Sequence, residues 1–262
     1  MSRQVTVAEM AEVVREAAKL FGNDEERANV TVKGRFDYVT EVDRNVQAKI
    51  AAELLERFPD VQFMGEEKDN EEVDRNGRLW ILDPVDGTTN LIHDLRASSV
   101  SLAFVEGKTP LAGLVYNPYL DEMYTAEKGK GARLNGRPIH VSRADSLEMS
   151  LISVGTAPYY PEHADWTFAA AKNVFLHCQD IRRSGSAAIE LAAVAAGRLE
   201  GTFEKILQPW DFAAGMLLVE EAGGRFTDFS GNRPDCTMKS EVLASNGLVH
   251  EELRAYMNDG RD

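Results

Sequence analysis

Leu79-Trp80-Ile81-Leu82-Asp83-Pro84-Val85-Asp86-Gly87-Thr88-Thr89-Asn90 sets a short apolar run against an acidic turn. The run is too short for an ordinary helix and bulky enough for a buried strand. It is expected to stop at Asp83-Pro84, because Pro84 has no N–H to give a neighbouring strand. Asp86-Gly87 then turns the chain. Two carboxylates and the Val85 carbonyl between them can converge on one point. That donor set is all hard oxygen, which suits Mg²⁺ rather than zinc. Beyond the turn, Gly87, Thr88 and Thr89 offer backbone N–H groups at a helix N-terminus, a cradle for phosphate. Taken alone, Asp-Pro and Asp-Gly are also ordinary turn chemistry.

Working outward, Val7, Met10, Val14, Ala17 and Phe21 recur at steps of three and four, which predicts an amphipathic helix over 7–21. Thr6 is placed to cap it, with Glu9 as capping-box partner. Val46, Ile50, Leu54, Leu55 and Phe58 predict a second helix over 43–58, closed by Pro59. Segments 100–105, 111–116 and 122–126 read as strands, and Asn135-Gly136 as a tight turn. The first half is therefore helices followed by an antiparallel meander. The second half alternates strands (149–154, 179–182, 225–229, 241–244) with helices (166–175, 187–196, 212–222, 248–257). Gly197 and Gly223-Gly224 end two of those helices. Alternation of this kind indicates layered α/β structure. The fold class is α/β, with an α+β N-terminal half over 1–145 and an α/β C-terminal half over 146–262.

Two more acidic clusters sit at strand ends or turns. Gly65-Glu66-Glu67 follows the apolar Val61-Gln62-Phe63-Met64, and Trp210-Asp211 precedes a helix expected to start near Phe212. By themselves Glu66-Glu67 is a solvated charge pair and Asp211 an N-cap.

The bulk numbers narrow the class. The chain has 262 residues, 44% hydrophobic and 27% charged, which is ordinary for a globular protein with a substantial core. A net charge of −14 repels nucleic-acid phosphates, so no nucleic-acid partner is expected. It would repel a phosphate substrate too, unless carboxylate-held metal ions reverse the sign locally. Cys178 and Cys236 lie far apart with no CxxC spacing, which argues against a disulfide scaffold or zinc site. Met1–Leu20 carries Glu9, Glu12, Arg15, Glu16 and Lys19 and is no signal peptide. No apolar run reaches the roughly 18 residues of a membrane span. The expected location is the cytoplasm.

These segments together resemble the inositol monophosphatase family of metal-dependent, lithium-sensitive phosphatases. Trp80 through Asn90 is similar to the family's first signature. Trp210-Asp211-Phe212-Ala213-Ala214-Gly215, running on to Glu221-Ala222-Gly223-Gly224, is similar to its second. Gly65-Glu66-Glu67 resembles the family's glutamate loop, and Asp37 through Asp43, with Lys33 before it, its N-terminal segment. The likeness runs from about residue 30 to Asn246.

The resemblance implies a layered αβαβα sandwich, usually a homodimer. It implies Mg²⁺ as cofactor, two or three ions per site. Glu66, Asp83 and the Val85 carbonyl would hold the first ion, and Asp83, Asp86 and Asp211 the second, with a weaker third near Glu66. Thr88 and Glu66 would orient the attacking water, with Asp43 bonded to the Thr88 hydroxyl. Gly87 and Thr88 N–H groups would hold phosphate. Glu204, with Asp86, Asp211 and the Gly185-Ser186-Ala187 segment, would meet a polyol ring. Lys33 and Asp37 would lie on a mobile loop near the metals. The implied reaction is hydrolysis of inositol 1-phosphate or a similar polyol phosphate. Fructose 1,6-bisphosphate, histidinol phosphate and 3′-phosphoadenosine 5′-phosphate are the rival substrates within the family. A regulatory partner of the transcription machinery is the alternative of a different class.

Overall fold

The structure, a computed structural model, describes residues 3–258; the outermost residues of the two expected halves, 1–2 and 259–262, lie outside the described residues. The chain begins with helix α1 (Val7–Ala17), whose N-cap Thr6 accepts from the Glu9 N–H. Where the periodicity predicts helix to residue 21, the α-helix stops at Ala17 and a 3₁₀ turn, Ala18–Gly22, carries Phe21 into the core. A short α2 (Asp24–Ala28) follows. Then comes a hairpin that the periodicity does not predict, β1 (Val30–Gly34) and β2 (Asp37–Thr40). Lys33 and Asp37 therefore sit in paired strands rather than in a loop. Helix α3 (Glu41–Arg57) ends just before Pro59, at the C-cap Phe58.

The first sheet comprises β3 (Gln62–Gly65), β4 (Arg78–Asp86), β5 (Ser99–Glu106), β6 (Thr109–Asn117), β7 (Glu122–Glu127), β8 (Ala132–Leu134) and β9 (Arg137–Ile139), in that spatial order. From β4 to β9 it is the expected antiparallel meander, and β3, which is not among the strands expected of the sequence, pairs parallel to β4. A short helix α4 (Thr88–Ile92) lies between β4 and β5. Against expectation, β4 does not stop at Asp83. Its pairing continues to Asp86, with Asp83 opposite Ser101 and Asp86 opposite Ser99, so the strand carries one extra residue. Pro84 sits in this bulge, where a missing N–H breaks no regular ladder. Side chains alternate faces along a strand, so residues three apart would point to opposite sides. The extra residue brings Asp83 and Asp86 to the same side.

The second half forms β10 (Leu151–Val154), α5 (Ala164–Phe175), β11 (Asp180–Arg182), α6 (Ala187–Ala195), β12 (Gly201–Leu207), α7 (Pro209–Glu221), β13 (Arg225–Thr227), β14 (Ser240–Ser245) and α8 (His250–Asn258). The second sheet has the order β11-β10-β12-β14-β13. Strand β12, its centre, is absent from the strands expected of the sequence. Glu204-Lys205-Ile206 breaks its alternation, and its register with β14 shifts between Glu204 and Leu207.

Packing makes the layers. Trp80 and Leu82 face α1 and α3 across one core, while Leu79 and Ile81 face α6 and α7 across another. Likewise Phe203 and Leu243 pack toward α5 and α8, and Val242 and Ala244 toward α6 and α7. Helices α6 and α7 are thus enclosed by sheet on both sides. That explains their runs of small and apolar residues, including Gly215, where a Cβ would press on Leu191. The result is a five-layer αβαβα sandwich. Among the described residues, no helix is long and apolar enough to cross a membrane.

Candidate active site

A cleft of about 740 Å³ opens where the end of β4, α4, the N-termini of α6 and α7, and β12 meet. Each of these elements delivers functional groups by a local device. Gly87 takes a left-handed φ of 92°, and a Cβ there would crowd the Gly185 and Ala97 carbonyls. This conformation starts α4 at Thr88. Thr88 Oγ1 lies 2.8 Å from Asp43 Oδ1 and donates to it; Val85 O is a second acceptor at 3.1 Å. Asp43 is fully buried and is also the third residue of α3, where Oδ2 accepts from Thr40 N at 2.8 Å and Thr40 Oγ1 at 2.5 Å. One carboxylate therefore caps a helix and holds the Thr88 hydroxyl.

Asp83 Oδ1 accepts only from Val85 N, at 2.9 Å. Asp86 Oδ2 accepts from Ser186 Oγ at 2.5 Å and Ala188 N at 2.7 Å, which ties the first sheet to the start of α6. Asp211 is not the N-cap expected of it. Helix α7 begins two residues earlier at Pro209, and Asp211 Oδ2 accepts from the N-cap Gln208 N at 2.7 Å. Glu66 follows β3 and lines the same cleft as Asp83. Its nearest cation is Lys33, 3.7 Å away, which also pairs with Glu67 at 2.7 Å and Asp37 at 3.5 Å. Across the cleft, Glu204 Oε1 accepts from Ala157 N at 2.7 Å. Gly155 makes room for this carboxylate, since a Cβ there would overlap it.

The electrostatics follow from burial with too few counter-charges. Burial pushes the Glu66 carboxyl up to about 8, with Glu67 and Asp43 adding to it against the pull of Lys33. Burial, then the charges of Glu66, Asp86 and Asp211, holds Asp83 well above the carboxylate range. Asp211 is raised for the same reasons, by burial and then by Asp86 and Glu66. Asp86 rises to about 6 by burial, restrained by its bonds to Ser186 and Ala188. Glu204 is pushed up to about 8 by burial and by the charge of Glu190. For Lys33, burial works downward but the carboxylates around it prevail, and its ammonium is stabilised.

Among the described residues, no three His, Cys, Asp or Glu side chains are arranged to hold a metal ion as they stand. The chemistry of the donor set nonetheless fits a hard cation. Glu66, Asp83, Asp86 and Asp211 supply oxygen alone, and burial together with their crowded charges raises Glu66 and Asp83 above the carboxylate range. An ion of two positive charges would offset that crowding.

Every residue expected at the site from the sequence lines this cleft, except Asp43, which stands buried behind Thr88. Sequence reasoning missed several others. Asn90 Nδ2 donates to Ala97 O at 2.7 Å and Ser184 O at 2.8 Å, pinning the loop after α4 to the turn before α6. Gln47 accepts from Glu67 N at 3.0 Å and so holds the glutamate turn, beside a Gly65 that leaves it space. Glu190 is buried under the turn before α6. Only the carboxamide of Asn90, inside the quoted motif, carried any signal. Gly129-Lys130-Gly131 is no phosphate loop: Gly129 N and Gly131 N donate to the Glu221 carboxylate at 2.7 and 2.8 Å.

Known proteins share this arrangement. A profile described as "Inositol monophosphatase family" matches residues 2–260. "Fructose-1,6-bisphosphatase/inositol-1-monophosphatase" of Thermotoga maritima is 41% identical over 232 residues, covering 88% of this chain and 87% of the relative. "Nus factor SuhB" of Escherichia coli K12 is 39% identical over 228 residues, covering 87% and 85%. The solved structure of a Thermotoga maritima IMPase superposes with a TM-score of 0.88 at 38% identity, covering 97% of each chain. With a match along nearly its whole length and the same layered architecture, the chain belongs to the inositol monophosphatase family and is a phosphatase acting on phosphate monoesters.

Proposed function

We propose that the protein is a Mg²⁺-dependent phosphatase of small polyol phosphates, with inositol 1-phosphate as the first candidate substrate. The observation that carries this reading is the juxtaposition of four carboxylates, Glu66, Asp83, Asp86 and Asp211, with the Gly87–Thr88 helix start and with Glu204 across the cleft. Glu66, Asp83 and the Val85 carbonyl would hold one ion; Asp83, Asp86 and Asp211 a second; Glu66 also faces a weaker third. Bound Mg²⁺ supplies charge neutralisation at the phosphoryl oxygens and lowers the pKa of water.

The chain's own groups do the rest. Gly87 and Thr88 N–H groups bind phosphate oxygens at the start of α4. Thr88 Oγ1 donates its hydrogen bond to Asp43, so its lone pairs are left to accept from a water. Glu66 is the second acceptor for that water. Asp43 keeps the threonine hydroxyl aimed by its own bonds to Thr40. Among the described residues no hydrogen-bond donor meets Glu204 Oε2, which leaves it for a ring hydroxyl and favours a polyol over a plain ester. Gly185, Ser186 and Ala187 border the same ring position. The cleft excludes bulk water in part, which strengthens each of these contacts.

A homodimer, a cytoplasmic location and inhibition by Li⁺ belong to the same reading and rest on the family likeness. The Nus factor name of the Escherichia coli relative supports a regulatory reading as the second possibility. Phosphate release from inositol 1-phosphate, fructose 1,6-bisphosphate, histidinol phosphate and 3′-phosphoadenosine 5′-phosphate, with and without Mg²⁺, tests the proposal. Mg²⁺-dependent turnover led by inositol 1-phosphate is expected. Turnover led by another substrate replaces the substrate and keeps the chemistry. Mg²⁺ binding without turnover of any of the four would bring the regulatory reading forward.

A further inference from the structure

Glu190 lies on α6, 5% exposed, and takes no part in the chemistry described above. Among the described residues no Lys, Arg or His pairs with it within 4.0 Å. It is held by three donors alone. Oε1 accepts from Ser184 N at 2.8 Å and Ser184 Oγ at 2.9 Å, and Oε2 accepts from Thr202 Oγ1 at 3.3 Å. A buried carboxylate without a counter-charge is a costly way to shape a turn, so stability alone is a poor account of it.

What it shapes is the turn between β11 and α6. Ser184 is gripped from both sides, by Glu190 at its N–H and hydroxyl and by Asn90 at its carbonyl. Ser186 N then donates to Ser184 Oγ at 3.2 Å. Ser186 Oγ and, at the second residue of the helix, Ala188 N both donate to Asp86 Oδ2. A continuous chain of bonds thus runs from Glu190 through Ser184 and Ser186 to Asp86.

We propose that Glu190 is a positioning residue: by fixing the Ser184–Ser186 turn it sets the orientation of Asp86 toward the cation and of Gly185 and Ser186 toward the substrate. The inference rests on the metal-dependent reading given above. Groups behind a metal ligand typically change affinity by about 10–100-fold when removed.

The test is Mg²⁺ affinity by titration calorimetry, alongside KM for inositol 1-phosphate, in wild type, Glu190→Ala and Glu190→Gln. Gln keeps one oxygen for Ser184, and its amide can donate to Thr202, so it preserves the geometry and removes the charge. The expected result is Mg²⁺ affinity weakened roughly tenfold in Glu190→Ala and restored to within about threefold by Glu190→Gln. KM should rise more than kcat falls. Wild-type affinity in Glu190→Ala overturns the inference, and so does Glu190→Gln as weak as Glu190→Ala, because charge and not position would then be the cause. If Glu190→Ala does not fold by circular dichroism, Ser184→Ala carries the test: it breaks the chain at its middle, and unchanged Mg²⁺ affinity there overturns the proposal. A wild type that binds no Mg²⁺ or turns over no substrate defeats the proposed function itself, an outcome distinct from variants that match an active wild type.

Discussion

On one wall of the cleft Asp83 and Asp211 accept one backbone N–H each, and Glu66 has only a distant lysine. On the other wall Asp86 accepts two donors and Glu190 three. The residue types are the same; the supply of donors is not. A carboxylate starved of donors keeps its lone pairs for a cation. A carboxylate fed with donors becomes a fixed part of the wall. Asp86 stands at the seam, in the cleft with the first group yet tied by Oδ2 to the start of α6. The comparison teaches that a metal site is prepared as much by withholding hydrogen bonds as by placing ligands.

The largest effect should come from the donor-poor wall. Asp83→Asn or Asp211→Asn should lower turnover by at least about 10²–10³-fold, the scale of losing a main electrostatic contact to the transition state. The metal-free protein should unfold no more easily than wild type, because each change removes a crowded negative charge. Turnover near wild type in either variant, measured by phosphate release, would end the assignment of that residue to the ions.

A smaller effect belongs to the substrate side. Glu204→Gln should raise KM for inositol 1-phosphate about tenfold, equivalent to one hydrogen bond to a charged group. The rise for a simple aryl phosphate should be smaller. Equal rises for both would show that Glu204 acts on the site as a whole and not on a ring hydroxyl.

The smallest is a pH effect on stability. Glu66 and Glu204, at about 8 in the folded protein, lie well above the ordinary glutamate value of 4.5. Between those values the folded state binds more protons than the unfolded state, so stability falls as pH rises. His250 works oppositely: burial lowers it to about 4, so its contribution grows with pH but is complete near its ordinary 6.5. From pH 6.5 to 8 the two glutamates decide the sign. The unfolding midpoint of metal-free protein should drop by at least about 2 °C across that window. Saturating Mg²⁺ should flatten the drop, since bound cations favour the ionised carboxylates, and Glu204→Gln should lessen it. A midpoint that climbs with pH in metal-free buffer would show that the cluster is already neutralised by something else.

Much of the fold was legible because it is written in local periodicity. The helix from Val7, the tight turn at Asn135-Gly136 and strands β5, β6 and β7 follow from spacing and turn chemistry. Failures came where tertiary contacts outweigh local pattern. Strand β12 is central yet irregular, because Glu204 must turn into the cleft and its neighbours follow the bulge. Strand β1 of the first hairpin is exposed along its length and so shows no apolar face. Asp211 read as an N-cap because its side chain does cap, but from the third position of the helix.

The sequence by itself determined the family of the chain and the identity of its acidic groups, since both reside in contiguous motifs whose residue types set the chemistry. Only the tertiary structure decided what each carboxylate does. Asp83 and Asp86 share a side because of an extra residue in β4 relative to β5, and Asp43 reaches Thr88 across 45 positions of chain. Glu190, ordinary in the sequence, becomes a buried anchor because α6 and β12 close over it. A carboxylate's role depends on which donors and charges surround it, and those neighbours are brought together by packing between distant segments rather than by adjacency along the chain.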